Sequence, residues 1–221
     1  MIIDLHLNGK IIVILGAGNE ALKRIKLLEN EECQIIVFGE KPHITIEKLA
    51  KQKKITLEKI KLTPTNFLFL PKFPSQPFLI IASTSDSLLN QQIVQTAKKK
   101  KILAYASDSP ELSDISYLSL FDIKETIKVG ISTGGASPIM AKKIKSKAKK
   151  LLEKAITEKD LQLIKMQKFA RNESRKYIST QSERKKFLYA LMNDKRVKEL
   201  LKDGKHKRIQ AIIKKMVKDW K

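Results

Sequence analysis

Residues 11–28 read IIVILGAGNEALKRIKLL and carry the strongest indication of the fold. The five apolar residues at the start of this stretch predict a buried strand, and a glycine-rich turn leads from that strand directly into a helical pattern. Gly16, Gly18 and Ala21 form the pattern GxGxxA at this junction. In such a junction the first glycine allows a tight turn, the second lets the backbone approach a pyrophosphate, and the small third residue permits close packing of helix on sheet. The pattern predicts a dinucleotide-binding βαβ unit, and a purely structural tight turn is the alternative.

The rest of the first half alternates strand-like and helix-like segments, which is typical of a parallel sheet with crossover helices. The predicted strands are 11–15, 34–38, 55–60, 78–82 and 102–106, and the predicted helices are 19–30, 44–53 and 88–100. A loop with Pro64, Pro71, Pro74 and Pro77 interrupts the alternation, because prolines at that density exclude regular structure. These segments predict an α/β fold with a Rossmann-like parallel sheet.

The pattern changes after residue 112. Segments 117–121 and 126–131 predict two successive strands with no helix between them, which favours a hairpin. Ser137 suits a helix N-cap and Pro138 the first helical position, so a long basic helix is expected to start there. We therefore divide the chain into a Rossmann-like domain at 1–112, a hairpin-plus-helix segment at 113–150, and a basic helical domain at 151–221.

The C-terminal domain is predicted to be helical almost throughout. Thr180 and Glu183 have the spacing of a capping box, and Gly204 can end the helix before it. A last amphipathic helix is indicated by apolar residues at helical spacing, namely Ile209, Ile212, Ile213 and Met216.

Charge is distributed unevenly along the 221 residues, whose net charge is +22. Residues 1–140 hold 18 basic and 14 acidic side chains, whereas residues 141–221 hold 27 and 9. A field this strong attracts polyanions such as nucleic acid, an anionic membrane surface or a small polycarboxylate. Plain solvation of the helices by lysine is the alternative.

Several classes of protein are excluded or disfavoured. No apolar run approaches the roughly 20 residues of a membrane-spanning helix, so no membrane partner is expected. The N-terminal MIIDLHLNGK does not have the pattern of a signal or transit peptide, so a cytoplasmic location is expected. The single cysteine, Cys33, excludes an intramolecular disulfide and a CxxC motif, and it is expected to be a small buried residue before a strand. The three histidines share no ligand spacing, so no preformed metal site is expected.

Polar residues follow the predicted strands at the edge where open α/β sheets bind ligands. Glu40 follows the second strand, and a carboxylate there accepts hydrogen bonds from an adenosine ribose and favours NAD over NADP. A solvated loop residue is the alternative for Glu40. Asp108 follows the fifth strand, where it could take a proton from a substrate or serve only as a turn residue.

Two further segments have an open interpretation. Thr84, Asp86 and Asn90 follow the fourth strand, and they form either a cofactor contact or an Asx-type turn with a helix cap. Gly134 and Gly135 precede the long basic helix, where they could cradle an anion through backbone N–H groups or simply make a tight turn.

Together these motifs resemble the precorrin-2 dehydrogenase family, the dehydrogenase and ferrochelatase part of siroheme synthase. The resemblance rests on LNGK at 7–10 before the fingerprint, ASTSDSLLN at 82–90, DSPELSD at 108–114 and ISTGGASP at 131–138. It covers roughly residues 1–150, and the ISTGGASP block after the DSPE segment is its specific part. The basic helical tail resembles the family's C-terminal domain more loosely.

The resemblance implies an NAD-dependent oxidation of precorrin-2 to sirohydrochlorin, with Asp108 as the catalytic residue and with Fe²⁺ insertion left open. It also implies a homodimer whose subunits exchange contacts through residues 113–150. The tetrapyrrole substrate bears eight carboxylates, which suits a basic cleft. The predicted cofactor-binding set is Gly16, Ala17, Gly18, Asn19, Glu20, Ala21, Glu40, Ser83 and Thr84, and the predicted substrate-binding set is Ser132, Thr133, Gly134 and Gly135.

Two other hypotheses stay open. The first is a non-catalytic nucleotide-sensing or nucleic-acid-binding Rossmann module, which accounts for the charge but lacks any helix-turn-helix, RNA-binding or zinc signature. A nucleic-acid partner is therefore not expected under the leading hypothesis. The second is a dehydrogenase that acts on another small substrate, because a fold does not fix the substrate.

Overall fold

A computed structural model describes residues 2–63 and 76–220 of the chain. The chain divides into two compact units, residues 1–117 and residues 118–221, and each is described by itself. The predicted proline-rich loop lies for the most part outside the described residues. The division at 112 and 150 stays a prediction.

The first unit is a Rossmann-like domain, as predicted. Its five parallel strands are β1 (Ile11–Leu15), β2 (Gln34–Phe38), β3 (Thr56–Glu58), β4 (Leu79–Ala82) and β5 (Leu103–Ala106). Its helices are α1 (Asn19–Leu28), α2 (Ile44–Lys51) and α3 (Ser87–Lys99). The strand order is β3-β2-β1-β4-β5, so the order reverses between β1 and β4. Ligands of open α/β sheets bind at the carboxyl ends of the strands at such a reversal.

Both faces of the sheet are covered, which explains the unbroken apolar run of β1. Ile12 and Ile14 pack in the core that contains Ile25 of α1, whereas Val13 packs in the core that contains Ile93 of α3. All five residues of β1 are buried. The strand that precedes the glycine turn is therefore held rigidly from both sides.

Some predicted boundaries were wrong by a few residues. The first two helices end at Leu28 and Lys51, and the third strand covers only Thr56–Glu58. Lys53, two residues beyond the end of α2, adopts a left-handed conformation with φ +58°, and its N–H donates to the carbonyl of Ala50. The helix cannot continue through this conformation. The predicted strands 11–15 and 34–38 have the observed bounds, strands 78–82 and 102–106 begin one residue later than predicted, and helix 88–100 begins and ends one residue earlier.

The end of the first unit contains a contact between one guanidinium and two aromatic rings, the aromatic clamp of Arg24, Tyr105 and Tyr117. The Arg24 guanidinium of α1 lies 4.2 Å from the ring centre of Tyr117 and 4.9 Å from that of Tyr105. It also donates a 2.8 Å hydrogen bond to the Tyr105 hydroxyl. Burial raises the pKa of Tyr117 to about 12, so this phenol is neutral at physiological pH. The strand predicted at 117–121 is observed at Ser119–Ile123, and Tyr117 lies in this clamp instead.

Replacing Arg24 by methionine tests the clamp. The variant keeps an unbranched apolar stem but removes the cation from two rings and the donor from the Tyr105 hydroxyl. We expect the free energy of unfolding to fall by about 1–3 kcal/mol. Urea denaturation followed by circular dichroism measures it, with Lys26→Met, at an exposed position of the same helix, as the control. Equal stability of the two variants would contradict the clamp.

The second unit consists of a hairpin and five helices, which confirms the predicted architecture. Strands β6 (Ser119–Ile123) and β7 (Ile127–Ile131) pair antiparallel. The helices are α4 (Pro138–Ala155), α5 (Glu158–Tyr177), α6 (Gln181–Asn193), α7 (Lys195–Lys202) and α8 (His206–Lys218). Within the described ranges, no helix combines the length and the apolar character that a membrane crossing needs.

Two predicted helix ends are confirmed. The Ser137 hydroxyl accepts a 3.2 Å hydrogen bond from the Met140 N–H and so caps α4, with Pro138 in the first turn. Gly204 ends α7 with φ +66°, and the N–H of Lys205 after it donates to the carbonyl of Leu200. This pattern is a Schellman motif.

The predicted capping box of α6 is only half formed. The Thr180 hydroxyl accepts from the N–H of Glu183, but the Glu183 carboxylate pairs with Lys186. A complete box stands instead at the start of α5, where Thr157 and Asp160 bond each other reciprocally. Both helices therefore begin at a threonine whose hydroxyl satisfies a free backbone N–H.

Candidate functional site

The glycine turn after β1 accepts only glycine at its first position. Gly16 has φ +114°, and a Cβ built on it would lie 2.3 Å from the carbonyl oxygen of Ser83. Its N–H donates a 2.8 Å hydrogen bond to the carbonyl of Phe38. The turn is therefore pressed between the ends of β2 and β4, and its path is fixed by the backbone on both sides.

The start of α1 is open towards solvent. Gly18 is the N-cap and has no side chain that could cap the helix. No atom of the described residues lies within 4 Å of the position that its Cβ would take. Asn19 beside it is exposed, whereas the Glu20 carboxylate pairs with Lys23 at 2.5 Å. Free backbone N–H groups at a helix start attract phosphate groups. The residues present therefore fit the diphosphate of a dinucleotide.

Gly39, which sequence reasoning missed, packs against this turn. A Cβ on Gly39 would lie 2.6 Å from the Cβ of Ala17, and the carbonyl of Ala17 accepts from the N–H of His43. Glu40 follows as an exposed residue beyond the carboxyl end of β2. The signal in the sequence was the GE pair directly after the strand QIIVF.

Strand register brings the other predicted residues beside the turn. Leu15 of β1 pairs with Ala82 of β4, which in turn pairs with Ala106 of β5. The turn at Gly16, the segment from Ser83 and the segment that holds Asp108 therefore leave the sheet side by side. Ser83 is buried, and its hydroxyl donates to the carbonyl of Leu15 at 3.3 Å.

A buried amide joins two of these segments. Asn90 of α3 is fully buried, and its Nδ2 donates to the carbonyl of Thr84 and to Oδ2 of Asp108, both at 3.1 Å. Its Oδ1 accepts from the N–H of Thr84 at 3.0 Å and from the Thr84 hydroxyl at 2.8 Å. Asp86 acts as the helix cap, since its carboxylate accepts from the N–H of Leu89. Asp86 therefore forms the helix cap that the sequence offered as one interpretation of this segment. Asn90 connects Thr84 with Asp108.

Asp108 itself is exposed just beyond β5. Ser107 before it has a buried hydroxyl that finds no hydrogen-bond partner in the described part of the chain. The segment behind it is anchored, because the hydroxyl of Ser113 accepts from the N–H of Ala106 at 2.9 Å. The carboxylate is therefore presented at the edge of the sheet from a fixed backbone.

The predicted substrate-binding loop belongs to the second unit. Gly134 and Gly135 have φ +61° and +84°, so both adopt the left-handed conformation that favours glycine. The hydroxyl of Ser132 accepts from the N–H of Gly134, and that of Thr133 accepts from the N–H of Ser137. The loop thus has a defined shape that leads into α4.

Sequence reasoning left the role of Asn90 open and did not anticipate the buried, unpaired hydroxyl of Ser107. The signal for Asn90 was a carboxamide on the buried face of α3, where its neighbours at helical spacing are Ile93, Val94 and Ala97. No comparable signal pointed to Ser107. Within residues 2–63 and 76–220, no group of three His, Cys, Asp or Glu side chains is arranged to hold a metal ion.

This geometry defines a class of protein: a Rossmann-type domain whose glycine turn and helix start are shaped for a dinucleotide. The family model described as "Putative NAD(P)-binding" matches residues 3–119, and the chain belongs to this family. The match covers the whole five-stranded sheet and the segment that holds Asp108.

Curated relatives confirm the resemblance drawn from the motifs. The siroheme synthase of Nitrosococcus oceani is 28% identical over 153 residues, which are 69% of this chain and 31% of that protein. The precorrin-2 dehydrogenase of Bacillus subtilis is 28% identical over 151 residues, 68% of this chain and 88% of that protein. The siroheme synthase of Buchnera aphidicola is 25% identical over 218 residues, 97% of this chain and 43% of that protein. The chain spans less than half the length of these siroheme synthases.

A solved structure shares the fold. SirC, a precorrin-2 dehydrogenase, superposes with a TM-score of 0.67 at 20% identity, and the match covers 100% of both chains. The fold class predicted from the sequence, a Rossmann-like sheet domain followed by a helical region, is thereby confirmed.

Proposed function

We propose that the chain oxidises precorrin-2 to sirohydrochlorin with NAD⁺ as the acceptor, a step in siroheme synthesis. The observation that carries the proposal is that the Asp108 carboxylate follows β5 at the same edge of the sheet as the glycine turn after β1, with only β4 between the two strands. The names of the relatives supply the substrate class, and membership of an NAD(P)-binding family supports the nicotinamide cofactor.

The reaction removes one hydride and one proton from the substrate and yields sirohydrochlorin, NADH and H⁺. NAD⁺ supplies the hydride acceptor when it is bound. The N–H groups at the start of α1 bind the diphosphate, and Glu40 accepts hydrogen bonds from the adenosine ribose. Asp108 takes the proton on Oδ1, the carboxylate oxygen that Asn90 does not bind.

We extend the proposal to the binding of the substrate, to the oligomeric state and to a second activity. The substrate is a polycarboxylate, and residues 141–221 hold 27 basic side chains against 9 acidic ones. The N–H groups of Gly134 and Gly135 bind one carboxylate, with the hydroxyls of Ser132 and Thr133 beside them. The protein acts as a homodimer through residues 113–150. Iron insertion is the second candidate activity, because siroheme synthases are among the relatives.

Replacing Glu40 by serine tests the cofactor preference. The carboxylate repels the 2′-phosphate of NADP⁺, so its loss raises the affinity for NADP⁺ relative to NAD⁺. We expect the ratio of the two affinities to change by about 5–30-fold, since a partly screened charge pair is worth about 1–2 kcal/mol. Calorimetric titration with both cofactors measures it. Glu58→Ser, at the end of the neighbouring strand, is the control, and an equal change in both variants would refute the assignment.

Anaerobic incubation with freshly generated precorrin-2 tests the proposal as a whole. We expect the sirohydrochlorin spectrum to develop when NAD⁺ is added and not without it, and later addition of Fe²⁺ tests iron insertion. A parallel titration with duplex DNA tests the rival hypothesis of a nucleic-acid-binding module. Steeply salt-dependent DNA binding without any tetrapyrrole turnover would contradict the proposed function.

A further inference from the structure

Asn90 is a polar residue at a core position of α3. Its side chain is fully buried, and the buried residues at helical spacing from it, Ile93, Val94 and Ala97, are apolar. Burying a carboxamide without partners costs several kcal/mol, whereas an apolar side chain has no polar group of its own to desolvate. The amide is therefore retained at a position that packing alone would give to an apolar side chain.

The backbone fixes which way the amide points. The N–H of Thr84 donates to Oδ1 of Asn90, and the carbonyl of Thr84 accepts from Nδ2. These two backbone groups cannot exchange roles, so the opposite orientation of the amide would lose both hydrogen bonds. The second hydrogen of Nδ2 is thereby aimed at Oδ2 of Asp108, 3.1 Å away.

This arrangement distinguishes the two oxygens of the Asp108 carboxylate. Oδ2 accepts an amide hydrogen and is held as an acceptor. Asp108 is otherwise exposed, and its Oδ1 has no partner in the described part of the chain. A carboxyl group that rotated freely would present either oxygen in many directions, and fixing it increases the fraction of encounters in a reactive geometry.

We propose that Asn90 is the positioning residue of the active site: it holds Oδ2 of Asp108 and thereby directs Oδ1 towards the substrate as the proton acceptor. The inference rests on the proposed dehydrogenase function. In the reaction one C–H bond of the substrate would lose its hydrogen with the electron pair as hydride, for which bound NAD⁺ would be the acceptor. A second hydrogen of the substrate would pass as a proton to Oδ1, and the electron pair it leaves would enter the new double bond. Through Thr84 the same amide ties this carboxylate to the segment that follows β4, beside the predicted cofactor.

The isosteric variant Asn90→Asp tests the proposal. The introduced carboxyl group is buried beside Asp108, with Asp86 at the start of the same helix, and burial next to a carboxylate raises its pKa. Protonated, it has a single hydrogen, so it replaces only one of the two hydrogen bonds that Nδ2 donates, to Oδ2 of Asp108 or to the carbonyl of Thr84; ionised, it also repels Asp108. We therefore expect the ratio of its kcat to that of wild type to be highest at low pH and to fall by about 10²-fold at high pH, with the affinity for NAD⁺ changed less than about threefold.

Gln95→Asp is the matched control, since it introduces the same charge at an exposed position of the same helix. We expect its kcat, relative to wild type, to be independent of pH. Asn90→Leu keeps the shape and removes every hydrogen bond, so it lowers kcat at all pH values. A ratio of Asn90→Asp to wild type that does not vary with pH would overturn the proposal.

A readout that needs no turnover separates this inference from the proposed function. Aspartate labelled with ¹³C at the side-chain carboxyl gives a signal for Asp108, which the spectrum of Asp108→Asn identifies. Two interacting carboxyl groups titrate in coupled steps, so Asn90→Asp should give this signal a two-step titration and Gln95→Asp a single step. A two-step titration of Asp108 in Asn90→Asp, without turnover in the wild type, would contradict the proposed dehydrogenase function but not the role of Asn90. Turnover with a single step would overturn the role of Asn90.

Discussion

Replacing Asp108 by asparagine is expected to lower kcat for precorrin-2 oxidation by about 10²–10⁴-fold, the usual contribution of a positioned general base. The carboxamide has nearly the same shape, and its oxygen still accepts from Nδ2 of Asn90. The fold and the affinity for NAD⁺ should therefore be preserved, the latter within about twofold. Steady-state kinetics give kcat, and calorimetric titration gives the affinity.

The control for this variant is Glu111→Gln, which removes an exposed carboxylate three residues further along the same segment. Its kcat is expected to stay within about twofold of wild type. Iron insertion is assayed on the same preparations. Loss of both activities in Asp108→Asn would indicate one shared site, whereas retained iron insertion would show that the two activities use different residues. Undiminished oxidation would refute the role of Asp108.

Replacing Gly16 by alanine is expected to abolish measurable NAD⁺ binding and to lower the free energy of unfolding by about 2–5 kcal/mol. Two costs add. An alanine rarely adopts φ +114°, and its Cβ would lie 2.3 Å from the carbonyl oxygen of Ser83, which is backbone and cannot move aside cheaply. Chemical denaturation and calorimetric titration measure the two effects.

Gly18→Ala is the matched comparison for this prediction. Gly18 has φ −89°, which alanine adopts readily, and its Cβ would meet nothing described within 4 Å. Its stability is expected to change by less than about 1 kcal/mol. Its affinity for NAD⁺ should still fall, because the methyl group occupies the space through which the diphosphate approaches. A Gly16→Ala protein as stable as Gly18→Ala would contradict this account of the turn.

The sequence predicted the centre of the first unit well for a physical reason. All of strand 11–15 and residues 35–38 of the second strand are continuous apolar runs, since both faces of a parallel sheet are covered. The third strand could not be bounded, because a short edge strand such as Thr56–Glu58 alternates weakly between exposed and half-buried positions. Tyr117 was assigned to a strand because its environment depends on Arg24, which lies 93 positions earlier in the chain.

The candidate site, too, could be predicted from the sequence only in part. Gly16 and Asp108 could be located because they follow strand ends directly. The hydrogen bonds of Asn90 could not be predicted, because they depend on the relative height of α3 and β5, which no local pattern encodes. Gly39 was missed since its need for glycine arises from the approach of Ala17, on a different loop.

The proposed oxidation of precorrin-2 is tested by a single-turnover reaction under anaerobic conditions, with enzyme in excess over precorrin-2 and NAD⁺ present. Sirohydrochlorin and NADH are recorded together in one cuvette. We expect the two products to appear at the same rate and in equimolar amounts. NAD⁺ binding without either product, or sirohydrochlorin without NADH, would contradict the proposed oxidation.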